Sequence, residues 1–360
     1  MTKRKGYNKT PFRNQPQAAH PQQPATPQLR IVSSLLDQMI EGHEFESILN
    51  YSVKDLELIS EIRRAIQEIS NIRKRPIICY LANMVNDNIK SSISIEPLDD
   101  LPFSEMVKMV NKEQKDVDII LVTPGGRADQ VARFVDNIRP RFENVVFILP
   151  YLCMSAGTIF CLSGDDIIMD ERAYIGPIDP QVPSRNGIYV PAQALQTLIS
   201  DIQERGQQKL EKGQHPDWTD LQILNSIDAR ELGNALSASK YSIELATNYV
   251  NKYKLKNWIL HESTGEAVTE EERCRAAENI ASKLCDHKAW KVHSRGISRE
   301  LAFKQCGLKI TYPENTPELL RAIRRFWALI YWIFEKTSIS KIFVSENYSI
   351  VRQDVIVPNH

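Results

Sequence analysis

The apolar residues keep a helical spacing toward both ends of this chain and contract into short continuous runs between them. Leu35, Leu36, Met39 and Ile40, then Leu56, Ile59, Ile62, Ile66 and Ile69, recur at three and four positions, which predicts two amphipathic helices parted at Asn50 to Val53. Pro76 to Leu81 reads as a first strand, 97–102 as a loop and Phe103 to Asn111 as a helix. Val117 to Val122 is then a nearly continuous apolar strand stopped by Thr-Pro-Gly-Gly. Val131, Phe134, Val135 and Ile138 give Ala128 to Ile138 a helical period, Val145 to Leu149 is a second buried strand, Met154 to Leu162 a short helix of small residues, and Ile167 to Met169 a third strand. Strand and helix alternate here, and the strands are apolar throughout rather than at every second residue. That pattern predicts a parallel sheet covered on both faces, an α/β core. Beyond Pro191 the pattern predicts helices at 192–211, 219–256, 270–285, 298–306 and 316–336, with no internal repeat.

Composition alters this picture only at the ends. Residues 1–30 hold five prolines and five glutamines and too few apolar side chains to fix themselves, so a disordered tail is expected, with Lys3, Arg4 and Lys5 solvated. Lys and Arg number 45, as do Asp and Glu, so no net charge draws the chain to nucleic acid or to an anionic membrane. Six cysteines form no CxxC pair and no apolar signal stretch precedes them; both point to reduced thiols and a cytoplasmic protein. The run from Phe326 to Phe334, closed by Glu335 and Lys336, is too short to span a bilayer. It predicts a buried helix, with an interfacial or partner-binding helix as the alternative.

In a parallel sheet, functional groups collect where strands end and helices begin. Two such places are unusual. After Val122, Gly125 and Gly126 let the backbone approach another group closely, with N–H groups free to face an anion. After Leu149, Ser155, Ala156 and Gly157 stand near a helix start, where unsatisfied N–H groups favour developing negative charge. A serine there can attack a carbonyl while the next N–H and a glycine N–H hold the oxyanion. Separately, Pro-Gly-Gly also reads as a turn and Ser155 as a helix cap.

At these residues the chain resembles the superfamily of Clp proteases and signal peptide peptidase A, most closely its serine dehydrogenase proteinase (SDH) branch of Clp-fold serine proteinases. The matching stretches are Thr123-Pro124-Gly125-Gly126, Met154-Ser155-Ala156-Gly157-Thr158, Gly164 to Met169, and Ile175-Gly176-Pro177-Ile178-Asp179-Pro180-Gln181. A weaker match returns with Trp290, His293, Ile297 and Gly307-Leu308. The resemblance implies a Clp/crotonase-like α/β fold, a parallel sheet with flanking helices and a helical C-terminal part. It also implies serine endopeptidase activity on a peptide or protein substrate, and a homo-oligomer. Ser155 becomes the nucleophile, and Ala156 with Gly125 or Gly126 the oxyanion donors.

The general base stays open. Clp-type enzymes place a histidine shortly after the serine, whereas this chain has none between His43 and His215. Signal peptide peptidase relatives use a lysine, which acts as a base when burial lowers its pKa. Lys240, on the long helix where the nearer branch carries a lysine, comes first, and Lys209 second; each reads equally as a solvated helix charge. His293 in the second matching stretch is the third candidate. Asp179 either orients the base or contacts substrate, or simply forms a turn before Pro180. Cys285-Asp286-His287 with His293 fits no closed zinc site, and no dinucleotide or ATP motif occurs, so neither metal nor cofactor is expected. The implied organisation is a tail at 1–30, helices at 31–75, a Clp/crotonase-like protease domain at 76–312 and a C-terminal helix and extension at 313–360. Two rival functions remain: a catalytically inactive Clp-fold oligomeric scaffold, and a crotonase-like acyl-CoA hydrolase or isomerase.

Overall fold

The computed structural model describes residues 34–52, 57–183 and 189–354; the tail expected at 1–30 lies outside them. In chain order come α1 (Glu44–Ile48), α2 (Leu58–Arg73), β1 (Ile77–Ala82), α3 (Asp100–Lys108), β2 (Asp116–Val122), α4 (Ala128–Ile138), β3 (Asn144–Leu149) and β4 (Leu152–Cys153). There follow α5 (Ala156–Leu162), β5 (Asp166–Met169), β6 (Tyr174–Ile175), β7 (Gln181–Pro183), β8 (Tyr189–Pro191), α6 (Ala192–Glu211), α7 (Trp218–Ser226) and α8 (Ala229–Tyr249). The last elements are α9 (Glu270–Cys285), α10 (His287–Trp290), α11 (Arg299–Leu301), α12 (Pro317–Lys336), β9 (Ile339–Ser345) and β10 (Ser349–Gln353).

The main sheet runs β10-β9-β1-β2-β3-β5. Strands β1, β2, β3 and β5 are parallel, and β9 and β10 join antiparallel at the β1 edge. The continuous apolar runs now have a cause. Ile78 and Tyr80 of β1, with Ile119 and Leu121 of β2, face one core shared with Phe103, Phe134 and Phe160, while Ile77, Cys79, Leu81, Ile120 and Val122 face a second core built on α2 and α12. Both faces are buried, so both parities must be apolar.

Three expectations change. The first N-terminal helix shrinks to α1: a single tight turn holds Leu36–Gln38, and Gly42 at φ +82° turns the chain where a helix cannot continue. The long helix expected at 219–256 divides at Ile227, because the Asp228 carboxylate takes the Arg230 N–H at 2.7 Å and starts α8 afresh. At the C-terminus the sequence showed only a helix, yet β9 and β10 complete the sheet. Ser340, Lys341 and Ser345 interrupt β9, and all of it is buried. Lys341 can be buried only because Nζ meets Ser94 O at 2.7 Å and both oxygens of Asp99, at 3.1 and 2.9 Å. Partners so distant in sequence leave no local signal.

The Phe326–Phe334 run lies inside α12 with every member but Tyr331 buried, all of those except Ala328 in the second core. It therefore offers no free apolar face, and the partner-binding alternative loses its support. No helix among the described residues is long and apolar enough to cross a membrane.

Candidate active site

Ser155 sits between β4 and α5 on a turn with φ +52° and ψ −122°, a backbone state costing a non-glycine residue about 1–3 kcal/mol. Hydrogen bonds around it maintain that state. The Thr123 N–H donates to Leu152 O at 3.0 Å and the Met154 N–H to Thr123 O at 2.9 Å, so the end of β2 grips the approach to the serine. On the far side Thr158 is buried; its hydroxyl accepts the Gly176 N–H at 3.0 Å and lies 2.9 Å from Gly176 O, tying α5 to the segment after β6.

The paired glycines pass directly over this turn. A Cβ on Gly125, at φ +96°, would lie 2.6 Å from both Met154 O and Ser155 Cβ; one on Gly126, at φ +143°, would lie 2.4 Å from Ile95 O. Only glycine permits this approach. Ile95 holds the glycine pair like a short strand: its N–H donates to Gly125 O at 2.7 Å and its carbonyl accepts the Arg127 N–H at 3.0 Å. The Gly125 N–H is taken by Thr123 Oγ1 at 3.1 Å. Among the described residues the Gly126 and Ala156 N–H groups have no such acceptor.

A cavity of about 720 Å³ opens over these groups, with Gly126, Ser155, Ala156, Ile159, Ile178 and His293 in its wall. His293 Nδ1 lies 2.8 Å from Oδ1 of Asp179, whose side chain is fully buried. Two backbone links hold the histidine-bearing loop against the aspartate segment. Ile175 and Ile297 exchange N–H···O bonds at 3.1 and 2.8 Å, and the Ile178 N–H donates to Leu284 O at 3.0 Å. Between them Trp290 is buried with its indole N–H on Lys283 O at 2.7 Å. Serine, imidazole and carboxylate thus share one site, in the chain order Ser155, Asp179, His293.

The lysines fall elsewhere. Ala238, Tyr241 and Ser242 of α8 face the cavity, but Lys240 is exposed and absent from its wall, since it stands about 200° around the helix from Ala238 and about 100° from Tyr241. Lys209 is ion-paired to Asp217 at 2.5 Å in the last turn of α6. The structure brings neither to the serine. Nearby thiols are poor competitors for the nucleophile's role: burial pushes Cys153 well above the usual thiol value, and burial with the charges of Asp179 and Asp286 pushes Cys285 up to about 12.

Sequence reasoning passed over four supporting residues. Thr123 and Thr158 were legible as parts of the matching stretches but not as clamps on the turn. Ile95 carries no local signal, because its role is played by its backbone. His287 reads from sequence only as part of an incomplete zinc-like cluster; its Nδ1 lies 3.4 Å from Oδ2 of Asp179. Both imidazoles turn Nδ1 toward the carboxylate, and no group of His, Cys, Asp and Glu among the described residues is arranged to hold a metal.

Residues 33–207 match the family described as ClpP-like SDH-type serine proteinase. Two uncharacterised proteins of Methanocaldococcus jannaschii are similar to the chain. One is 28% identical over 153 residues, 41% of this chain and 49% of its own length; the other is 29% identical over 142 residues, 38% and 46%. The chain thus spans about half the length of the curated relatives it matches. Among solved structures, a mutant of the 1510-N membrane-bound stomatin-specific protease is similar at 16% identity and a TM-score of 0.35, over 64% of this chain and 79% of that one. ClpP1 from Listeria monocytogenes is similar at 12% identity and a TM-score of 0.25, over 48% and 89%. His293 lies beyond the matched residues, whereas the paired glycines, Ser155 and Asp179 lie within them. The serine turn and the glycines above it thus lie within the segment, 33–207, that is similar to the ClpP-like SDH-type serine proteinases.

Proposed function

We propose that the chain is a serine peptidase in which Ser155 is the nucleophile, His293 the general base and Asp179 the carboxylate that orients it. The observation that carries this reading is the shared cavity of Ser155 and His293, with Asp179 buried behind the imidazole at 2.8 Å. A peptide carbonyl carbon is attacked by Ser155 Oγ while the hydroxyl proton passes to Nε2 of His293. The Asp179 carboxylate accepts the Nδ1–H, which fixes the tautomer and stabilises the imidazolium. The oxyanion accepts hydrogen bonds from the Ala156 and Gly126 N–H groups, each donor contributing about 10²–10³ in rate. Collapse breaks the C–N bond, the proton moves from His293 to the leaving amine, and water, deprotonated by the same imidazole, then releases the acyl group. Gly126 is favoured over Gly125 because the Gly125 N–H is already given to Thr123.

A fluorophosphonate probe tests the assignment. Wild type is expected to be labelled at Ser155, with Ser155→Ala unlabelled and His293→Ala labelled orders of magnitude more slowly. Folded wild type that resists the probe would sink the enzyme reading and leave a scaffold. Self-assembly belongs to the same proposal, with Leu210, Trp218, Leu221 and Leu236 of α6–α8 exposed as apolar contact surface; sedimentation as a monomer at all concentrations would exclude it.

A further inference from the structure

The geometry points to His287 as a positioning residue: it holds the second oxygen of Asp179 and thereby keeps the first on His293. This inference rests on the proposed assignment of Ser155, His293 and Asp179. A carboxylate pinned at one oxygen can still rotate about its Cβ–Cγ bond, and rotation removes the acceptor from Nδ1 of His293. Asp179 Oδ2 and His287 Nδ1 stand 3.4 Å apart, both sealed from solvent, and neither has a hydrogen-bond partner among the described residues. A buried polar atom left unpaired is destabilising, so a small turn of the ring, donating Nδ1–H to Oδ2, relieves both atoms together. The carboxylate then accepts from one imidazole at each oxygen and its plane is fixed.

His287 is itself well placed for this. Its backbone N–H donates to Oε1 of Gln193 at 3.0 Å, and the same amide gives Nε2 to the Cys285 thiol at 3.2 Å, so α6 braces the start of α10. The Asp286 carboxylate, which also neighbours the site, is engaged with the Lys288 and Ala289 N–H groups at 2.9 and 3.3 Å and caps the short helix. His287, the first residue of α10, and His293, just after it, thus both reach Asp179, with buried Trp290 between them. His287 touches no reacting atom in this scheme; it acts through Asp179 alone.

The test follows saturation kinetics of fluorophosphonate labelling at Ser155, which separate probe binding from acylation. His287→Phe fills the space without a donor and is expected to lower the maximal labelling rate about 10- to 100-fold, with the half-saturating probe concentration unchanged. His287→Asn, whose amide nitrogen stands close to the position of Nδ1, is expected to recover most of that rate. His287→Ala, which lets water reach the carboxylate, guards against misfolding of the phenylalanine variant and is expected to fall between them. Wild-type rates in the Phe and Ala variants overturn the inference, as does an equal loss in all three with weakened probe binding, the mark of a residue that only fills space. A wild type that never reacts removes the proposed function itself, and is distinguishable from slow variants of a reactive protein.

Discussion

Replacing Gly125 by alanine separates the geometry of the oxyanion turn from the stability of the fold. The added Cβ would stand 2.6 Å from Met154 O and Ser155 Cβ and 3.0 Å from Ala156 N. Comfortable contact needs about 3.5 Å, so the glycine turn and the serine turn must part by roughly 0.9 Å. Gly125 also has φ +96°, where a side chain adds about 1–2 kcal/mol of strain. A displacement near 1 Å at a reacting group costs about 10²-fold in rate. The structure cannot absorb the shift elsewhere, because Ile95 clamps the outer side of the turn through Gly125 O and the Arg127 N–H. Acylation of Ser155 by a fluorophosphonate is therefore expected to slow by about 10²-fold or more, while thermal unfolding shows a loss of only about 1–3 kcal/mol. Gly206→Ala is the matched control: that glycine lies within α6 with open space around its Cβ, so labelling should be unchanged and stability should rise by up to about 1 kcal/mol. A Gly125→Ala protein labelled at nearly the wild-type rate would refute the close fit between glycine turn and nucleophile.

Three further outcomes follow from the same structure. Lys240→Ala should leave labelling unchanged, whereas Asp179→Asn should slow it by about 10³–10⁴-fold; the opposite ranking in a side-by-side assay would restore a serine–lysine mechanism. Burial raises the Asp165 carboxyl, but hydrogen bonds from Arg139, Lys256 and the Val145 N–H outweigh it and hold the group below its usual value. A depressed folded-state pKa stabilises the fold above the unfolded pKa of about 3.9 and loses that effect as pH falls through the folded value. Asp165→Asn should thus cost about 3 kcal/mol in denaturant unfolding at neutral pH, a deficit that narrows below about pH 3.9; a deficit that stays constant down to acid pH contradicts the account. Phe334→Ala, at a fully buried site in the second core, should lower unfolding free energy by about 3–5 kcal/mol, and a loss below about 1 kcal/mol would contradict the packing of α12 into that core.

The readable parts of this sequence are those whose physics is local. The parallel strands could be found because burial on both faces demands unbroken apolar runs, and Ala128 to Ile138 was delimited by its own period. Ser155 and the glycines were visible because a strand end followed by small residues has few uses. What could not be read depends on partners far away. β9 hides behind Lys341, whose burial makes sense only once Asp99 is seen opposite it. That Lys240 stands off the cavity wall was not legible either, because its place along a helix does not fix its azimuth toward a cavity formed by other elements. His287 was unreadable as a partner of Asp179, since the pairing arises from a loop laid back across the sheet end by Ile175, Ile178, Leu284 and Ile297.

That loop has a consequence for synthesis. Oδ1 of Asp179 and Nδ1 of His293 meet across 114 residues of chain, and helices α6 to α10 are made in between. A nascent chain that has emerged only as far as α9 possesses the serine turn, its glycines and the aspartate, but no imidazole to draw off the proton. On the proposed assignment Ser155 therefore lacks its base until the loop that carries His293 has docked against the aspartate segment.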